Sequence, residues 1–358
     1  MRRHGIKRVL LLALTALLLV LVPMPSAPAA PEGTIVQTVE SGLAFPVDMA
    51  WVPGTRRIFF TEQDTGKIRE LNRGRLRPAP CVNLKVDPEG ERGLLGIALD
   101  PGFATNHYLY VYFSKKGADG NRVARFKVVN HVCTNKRILI EGIPDNDFHN
   151  GGQLELVGNY LFISTGDAAD ANTAQDLNSP AGKILRIHPD GTIPEDNPYD
   201  PPAGHPAVWS YGHRNTFGLA ARGNTGQLLQ SENGPGCDDE VNSILPGENY
   251  GWGPGYNCTG PGVGINPMAP LREWTPPIAP TDVVFYEGPL DALDDTLLMG
   301  DYNDGRIHRF ELSKDGLDIT DESIVHDAGG GIIDVAKGPG GWVYYLTVTA
   351  IKRIRETP

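Results

Sequence analysis

An all-β chain folded as a six-bladed β-propeller is what this sequence predicts. Three observations carry that expectation. The 358 residues include 43 Gly and 30 Pro, a turn density that suits many short strands better than long helices. Apolar, strand-like runs come in groups of three, separated by small turns. The group recurs six times at a spacing of roughly 40–50 residues, as propeller blades do.

The chain opens with Arg2, Arg3, Lys7 and Arg8, an apolar run from Val9 to Val22, and a small-residue stretch ending in Ala27-Pro28-Ala29. That order describes a secretory leader cleaved near Ala29, and the run is short for a bilayer span. Residues 1–29 are therefore read as the leader and 30–358 as one propeller domain. The mature chain is expected to be secreted or periplasmic, with no stable membrane span after cleavage. Losing the four leader cations moves the formal charge from −11 to about −15, which excludes nucleic acid as a natural partner.

The first unit reads Val47 to Trp51, Ile58 to Thr61 and Gly66 to Leu71. The second runs Leu94 to Leu99, Tyr108 to Ser114 and Asn121 to Val129; the third, Gln153 to Val157, Tyr160 to Thr165 and Gly182 to Ile187. The fourth has Phe217 to Ala221, Leu228 to Glu232 and Asp239 to Leu245. The fifth has Asp282 to Tyr286, Thr296 to Gly300 and Gly305 to Leu312. The sixth has Ile332 to Ala336, Trp342 to Leu346 and Ala350 to Ile354. Long connections at Thr165–Gly182, Asp190–Val208 and Tyr250–Thr281 are expected on one face, around the channel mouth where ligands bind. Cys81, Cys133, Cys237 and Cys258 form an even set in an exported chain and suggest disulfides. Of three possible pairings, Cys81–Cys133 and Cys237–Cys258 are favoured.

Several motifs carry chemistry. His149 precedes Asn150-Gly151-Gly152 at the start of an apolar run, and His can serve as a base near neutral pH. Gly212-His213-Arg214-Asn215 offers a planar cationic donor beside an amide. The acidic stretch Glu232 to Glu240, followed by Asn249-Tyr250-Gly251-Trp252, has carboxylates and carbonyls suited to a hard cation. Glu91-Arg92-Gly93 opens the second unit as a strand start, with Glu91 and Arg92 as candidate channel residues.

In this order and spacing the motifs resemble the soluble quinoprotein glucose/sorbosone dehydrogenases, the aldose sugar dehydrogenase family, over roughly Gly42 to Arg355. The carriers are Gly93-Leu94-Leu95-Gly96, His149 with Gly151-Gly152, Gly166-Asp167, Gly212 to Asn215, Ser231 to Pro235, Asp238 to Asn242, and Asn249 to Trp252. The resemblance implies a propeller that binds pyrroloquinoline quinone (PQQ) and calcium over its channel. It implies oxidation of an aldose at the anomeric hydroxyl to a lactone, with electrons passed to an external acceptor. His149 would be the general base and Arg214 the group that polarises the quinone. Glu91, Arg214, Asn215, Tyr256 and Asn303 would line the cofactor. Gly234 and Pro235 would hold one calcium ion, and Glu240 and Tyr250 another. The family anchors the quinone carboxylates with a Lys in the fifth blade and two Arg in the sixth. Here Asn303 or Asp304 stands at the first position, and Gly331 and Ile333 at the others. Arg92, Lys183, Arg306 and Lys337 are the candidates to substitute for them.

Two further readings follow from the same residues. One is a calcium-stabilised propeller without quinone that binds carbohydrate or protein at the channel mouth. The other is a lactonase-type hydrolase with Glu91, Asp167 and Asn215 around a channel metal.

Overall fold

The computed structural model describes residues 30–117, 120–260 and 262–358, and the leader expected over residues 1–29 lies outside them. It is a six-bladed propeller, six antiparallel sheets arranged around a channel. After β1 (Thr34–Ser41), the first blade is β2 (Pro46–Val52), β3 (Arg57–Glu62) and β4 (Lys67–Asn72), with the short edges β5 (Arg75–Leu76) and β6 (Val82–Asn83). The second is β7 (Leu94–Leu99), β8 (Tyr108–Ser114), β9 (Asn121–Val129) and β10 (Val132–Ile143). The third is β11 (Gly151–Val157), β12 (Tyr160–Thr165), β13 (Lys183–Ile187) and β14 (Val208–Tyr211). The fourth is β15 (Thr216–Arg222), β16 (Gln227–Glu232), β17 (Asp239–Ile244) and β18 (Arg272–Trp274). The fifth is β19 (Pro280–Tyr286), β20 (Thr296–Asp301), β21 (Arg306–Leu312) and β22 (Ile319–Asp327). The sixth is β23 (Ile332–Lys337), β24 (Val343–Thr347) and β25 (Ala350–Glu356), completed by β1 as its outermost strand.

That last pairing closes the ring. Thr34 lies opposite Glu356 and Ser41 opposite Ala350. The inner strands β2, β7, β11, β15, β19 and β23 each touch the next one around the channel.

The three strands read from each unit are the inner three of each blade. They are apolar because a blade is covered on both faces by its neighbours. One buried apolar cluster fills each gap between adjacent blades. Phe59, Phe113 and Phe126 anchor the gap between the first and second blades. Burying each such ring contributes roughly 1.5–3 kcal/mol. The fourth strands were not part of the sequence expectation. They are edges that face water on one side, such as β22, whose Asp321 and Glu322 are exposed or partly so.

Both favoured disulfides are present. Cys81–Cys133 ties the first blade to the edge of the second, with Cα atoms 5.0 Å apart. Cys237–Cys258 ties the loop before β17 to the loop after it. Among the described residues, no helix is long and apolar enough to cross a membrane.

Candidate active site

A cavity of about 640 Å³ sits over one end of the channel. His149, Arg214, Asn215, Glu91, Gly234 and Pro235 all line it. The sequence expectation therefore brings these six together.

His149 stands two residues before the start of β11, with a left-handed backbone (φ 60°). That conformation is uncommon outside glycine and is held here by the surroundings. Its N–H donates to Glu91 Oε2 at 2.8 Å. Its carbonyl accepts from Ala168 N at 3.1 Å. A Cβ on Gly166 would lie 2.1 Å from that carbonyl oxygen, so only glycine fits there.

The ring is held as firmly as the backbone. His149 Nδ1 lies 2.7 Å from Asp167 Oδ1. Asp167 is buried, and its other oxygen accepts from Trp252 Nε1 at 2.7 Å. Ala169 N also donates to Asp167 Oδ1, at 2.8 Å. A carboxylate can only accept, so Nδ1 carries the proton and Nε2 keeps its lone pair. The pair is a base with its orienting acid. Asp167 was named in the sequence as part of Gly166-Asp167 and as a ligand in the hydrolase reading, not as the partner of His149; the two meet because the β11–β12 hairpin sets Gly151 opposite Thr165.

Arg214 comes from the loop between β14 and β15. Its backbone N–H donates to Glu232, and its Nη1 donates to Asn233 O at 2.8 Å. The guanidinium lies over the Trp252 ring, 5.3 Å from its centroid. Its Nε is buried without a partner. Burial pulls its pKa below the ordinary arginine value, while Asp167, Glu232, Glu91 and Asp239 oppose that pull. Asn215 Nδ2 donates to Glu91 Oε2 at 3.2 Å. Glu91 thus joins the His149 backbone to the Asn215 side chain.

His213 does not face the cavity. It is fully buried between Ser210 and Glu232, and stacks on Tyr250 at 4.7 Å. Tyr250 itself bonds Ser243 O and Leu245 N through its hydroxyl. Glu240 lies in register between Glu232 and Glu273 on the neighbouring strands. Burial and the charge of Glu232 push its carboxyl well above the usual range. Glu240 and Tyr250 are outside the cavity lining, as are Tyr256 and Asn303. Tyr256 donates to Asp238 Oδ2, and Asn303 Nδ2 donates to Pro277 O.

Gly234 and Pro235 sit on a loop that Asp239 braces, accepting from Gly234 N at 2.8 Å and Ala279 N at 2.7 Å. Two of the three long connections reach the site, through Asp167 and through Trp252 and Ala279. The third, 190–207, contributes nothing to the lining; its Asn197 and Tyr199 bond Arg186 and Gly247 instead.

Arg214 is the single cation among the described residues that line the cavity. The four candidate substitutes are engaged elsewhere. Arg92 pairs with Asp87 and Asp147, and Arg306 with Asp304 and Asp327. Lys183 donates to three backbone carbonyls, and Lys337 to Glu287 O. Beside Gly331 lies the ring of Tyr302, which a Cβ there would meet at 2.6 Å. An aromatic wall therefore stands against the glycine at the expected arginine position. Gln63 and Asn233 also line the cavity, and nothing in the sequence had singled out Gln63.

Below the cavity, Asp48, Asp282 and Asp334 cross the channel, all three buried. Burial pushes Asp48 up to about 7, and pushes Asp282 and Asp334 well above the carboxylate range.

A family model described as Glucose / Sorbosone dehydrogenase matches residues 43–355. The aldose sugar dehydrogenase YliI of Escherichia coli (strain K12) is 30% identical over 341 residues, spanning 89% of this chain and 91% of its own length. The quinoprotein glucose dehydrogenase B of Acinetobacter calcoaceticus is 32% identical over 294 residues, which are 70% of this chain and 60% of that one. The PQQ-bound aldose sugar dehydrogenase of Streptomyces coelicolor matches in structure with a TM-score of 0.77 at 30% identity, over 91% of this chain and 99% of its own.

Proposed function

The chain belongs to the glucose/sorbosone dehydrogenase family and is an oxidoreductase of the quinoprotein type; from that premise we propose that it oxidises the anomeric hydroxyl of an aldose to the lactone, with PQQ as the hydride acceptor. The observation that carries this reading is the His149–Asp167 pair, set with Arg214 and Asn215 in one cavity.

The lining fits a flat quinone at its reactive end. Arg214 offers a buried Nε–H with no other partner, and Asn215, Asn233 and Gln63 offer amides. PQQ, when bound, supplies the two-electron acceptor that no side chain can provide. His149 Nε2 takes the C1 hydroxyl proton, and Asp167 stabilises the imidazolium that results. Arg214 would donate to the quinone oxygens and offset negative charge there. Asn215, held by Glu91, keeps the cofactor in register. Carbonyls of Gly234 and Pro235 would hold a calcium ion, and Glu240, crowded by two other glutamates, would hold a second with Tyr250. An external acceptor removes the electrons. The chain is exported and meets its sugar outside the cytoplasm.

Each charge-assisted hydrogen bond to a carboxylate contributes about 1.5–3 kcal/mol. With Arg214 as the sole cation among the described lining residues, PQQ binding is expected to be weaker and more dependent on calcium than a three-cation site would give. That same charge balance favours the second reading, a calcium-stabilised propeller that binds carbohydrate without quinone.

Titration of the purified protein with PQQ and calcium, followed by an aldose and a dye acceptor, separates the two. Dye reduction that needs both PQQ and sugar supports the dehydrogenase. Sugar binding with no uptake of PQQ at micromolar concentration would replace it with the binding protein.

A further inference from the structure

Each inner strand slips register once against its neighbour. The residues at that slip, blade by blade, are Asp48, Gly96, Gln153, Gly218, Asp282 and Asp334. Three of these six equivalent positions are aspartates, and they come from the first, fifth and sixth blades, which are consecutive around the closed ring. One carboxylate oxygen from each lies within 4.8 Å of the other two.

Asp334 is fully buried, and neither of its carboxylate oxygens has a hydrogen-bond donor. Asp282 Oδ1 is also buried and unpartnered. Donors to the rest are few: Ile97 N to Asp48 Oδ2 at 2.6 Å, and Gln153 Nε2 across the channel to Asp282 Oδ2 at 3.0 Å. Buried carboxylates without donors need a positive partner. No Lys or Arg side chain supplies one among the described groups that bond these three. Asp48 and Asp282 line both the upper cavity and a second one of about 320 Å³. The second reaches Trp51, Leu99 and Phe285, toward the other end of the inner strands. The triad is thus the waist between two water-accessible spaces.

We propose that this waist binds a hard divalent cation of the calcium class between Asp48, Asp282 and Asp334. The donor set is all oxygen, with no thiolate or imidazole, which selects such ions. Two oxygens on one calcium ion can be no farther apart than twice a bond of about 2.4 Å, and the three oxygens meet that limit. Glycines at two of the six positions leave room for water ligands, and the Gln153 carboxamide can turn its oxygen inward. The ion bridges β19, β23 and β2, so it spans the seam where the sixth blade meets the first. This site is separate from the calcium positions at Gly234, Pro235, Glu240 and Tyr250, and it does not depend on PQQ.

The test is calcium stoichiometry. Chelated wild-type protein and the Asp334→Asn and Asp48→Asn variants are dialysed against calcium chloride and their metal content measured. Each variant is expected to hold one ion fewer per chain and to lose part of the calcium-dependent rise in Tm. Equal metal content in all three, with no change in that rise, would overturn the site and leave protons as the neutralising charge. If the variants do not fold, the wild type answers alone. Crystals soaked in manganese chloride should show an anomalous peak among the three carboxylates, and the absence of a peak there would overturn the proposal. PQQ titration of the same samples reports on the dehydrogenase reading independently.

Discussion

At the scale of single residues, Asp167 decides which nitrogen of His149 is basic. Replacing it by Asn removes the negative charge that stabilises the imidazolium and sets an amide N–H against one of the three donors that Asp167 accepts from. Asp167→Asn should therefore lower kcat by on the order of 10²–10⁴-fold with little change in KM, as steady-state assays with an aldose would read. His149→Ala should abolish oxidation while the circular dichroism spectrum stays unchanged; full activity in that variant would remove the base assignment. His149 was legible in the sequence because its glycine frame, Gly151-Gly152, marks a tight strand entrance. Its orienting acid was not, because Asp167 meets His149 only once β11 and β12 pair in the register that sets Gly151 opposite Thr165. The channel aspartates left a trace, Val47-Asp48-Met49, Thr281-Asp282-Val283 and Ile333-Asp334-Val335. One strand alone reads as an alternating sheet edge, and only closure of the ring puts the three carboxylates together.

At the scale of elements, a strand was readable where neighbouring blades cover it on both faces. Runs such as β8 and β12 are almost wholly buried. The outer strands carry ion pairs instead, as where Arg309 meets Asp321 on β22, and their sequence resembles a loop. β1 was missed for another reason: its partner, β25, lies at the opposite end of the chain. Staples reinforce these edges. Cys81–Cys133 closes a separation of 52 residues, and its loss should cost about 2–4 kcal/mol. The paired Cys81→Ser and Cys133→Ser variant should show a matching fall in denaturant midpoint. In the fifth blade, burial would lower the pKa of His308, but the hydrogen bond to Asp301 and the nearby carboxylate of Glu322 outweigh it and hold the ring above its ordinary value. A raised folded-state pKa means that this stabilisation is complete below about pH 6.5 and is lost as pH rises through the folded value. His308→Gln should flatten the fall of Tm over that alkaline window, as thermal melts across pH would show.

At the scale of the whole molecule, stability depends on closing a circle. The strand β1 supplies the outer edge of the sixth blade. A variant lacking residues 30–41 leaves β25 as a bare edge and should melt at a lower temperature and self-associate, which scanning calorimetry and light scattering would detect. The closing strand also sets an order of events in time. Chains emerge N-terminus first, so β1 appears among the earliest residues of the propeller and its partner β25 among the last. Throughout synthesis Thr34–Ser41 has nothing to pair with, and the sixth blade cannot be finished until nearly every residue has been released. Pairing across such a sequence separation is slow. Closure of the ring is consequently the last event of folding, and the sixth blade keeps an unpaired edge until the end of the chain arrives.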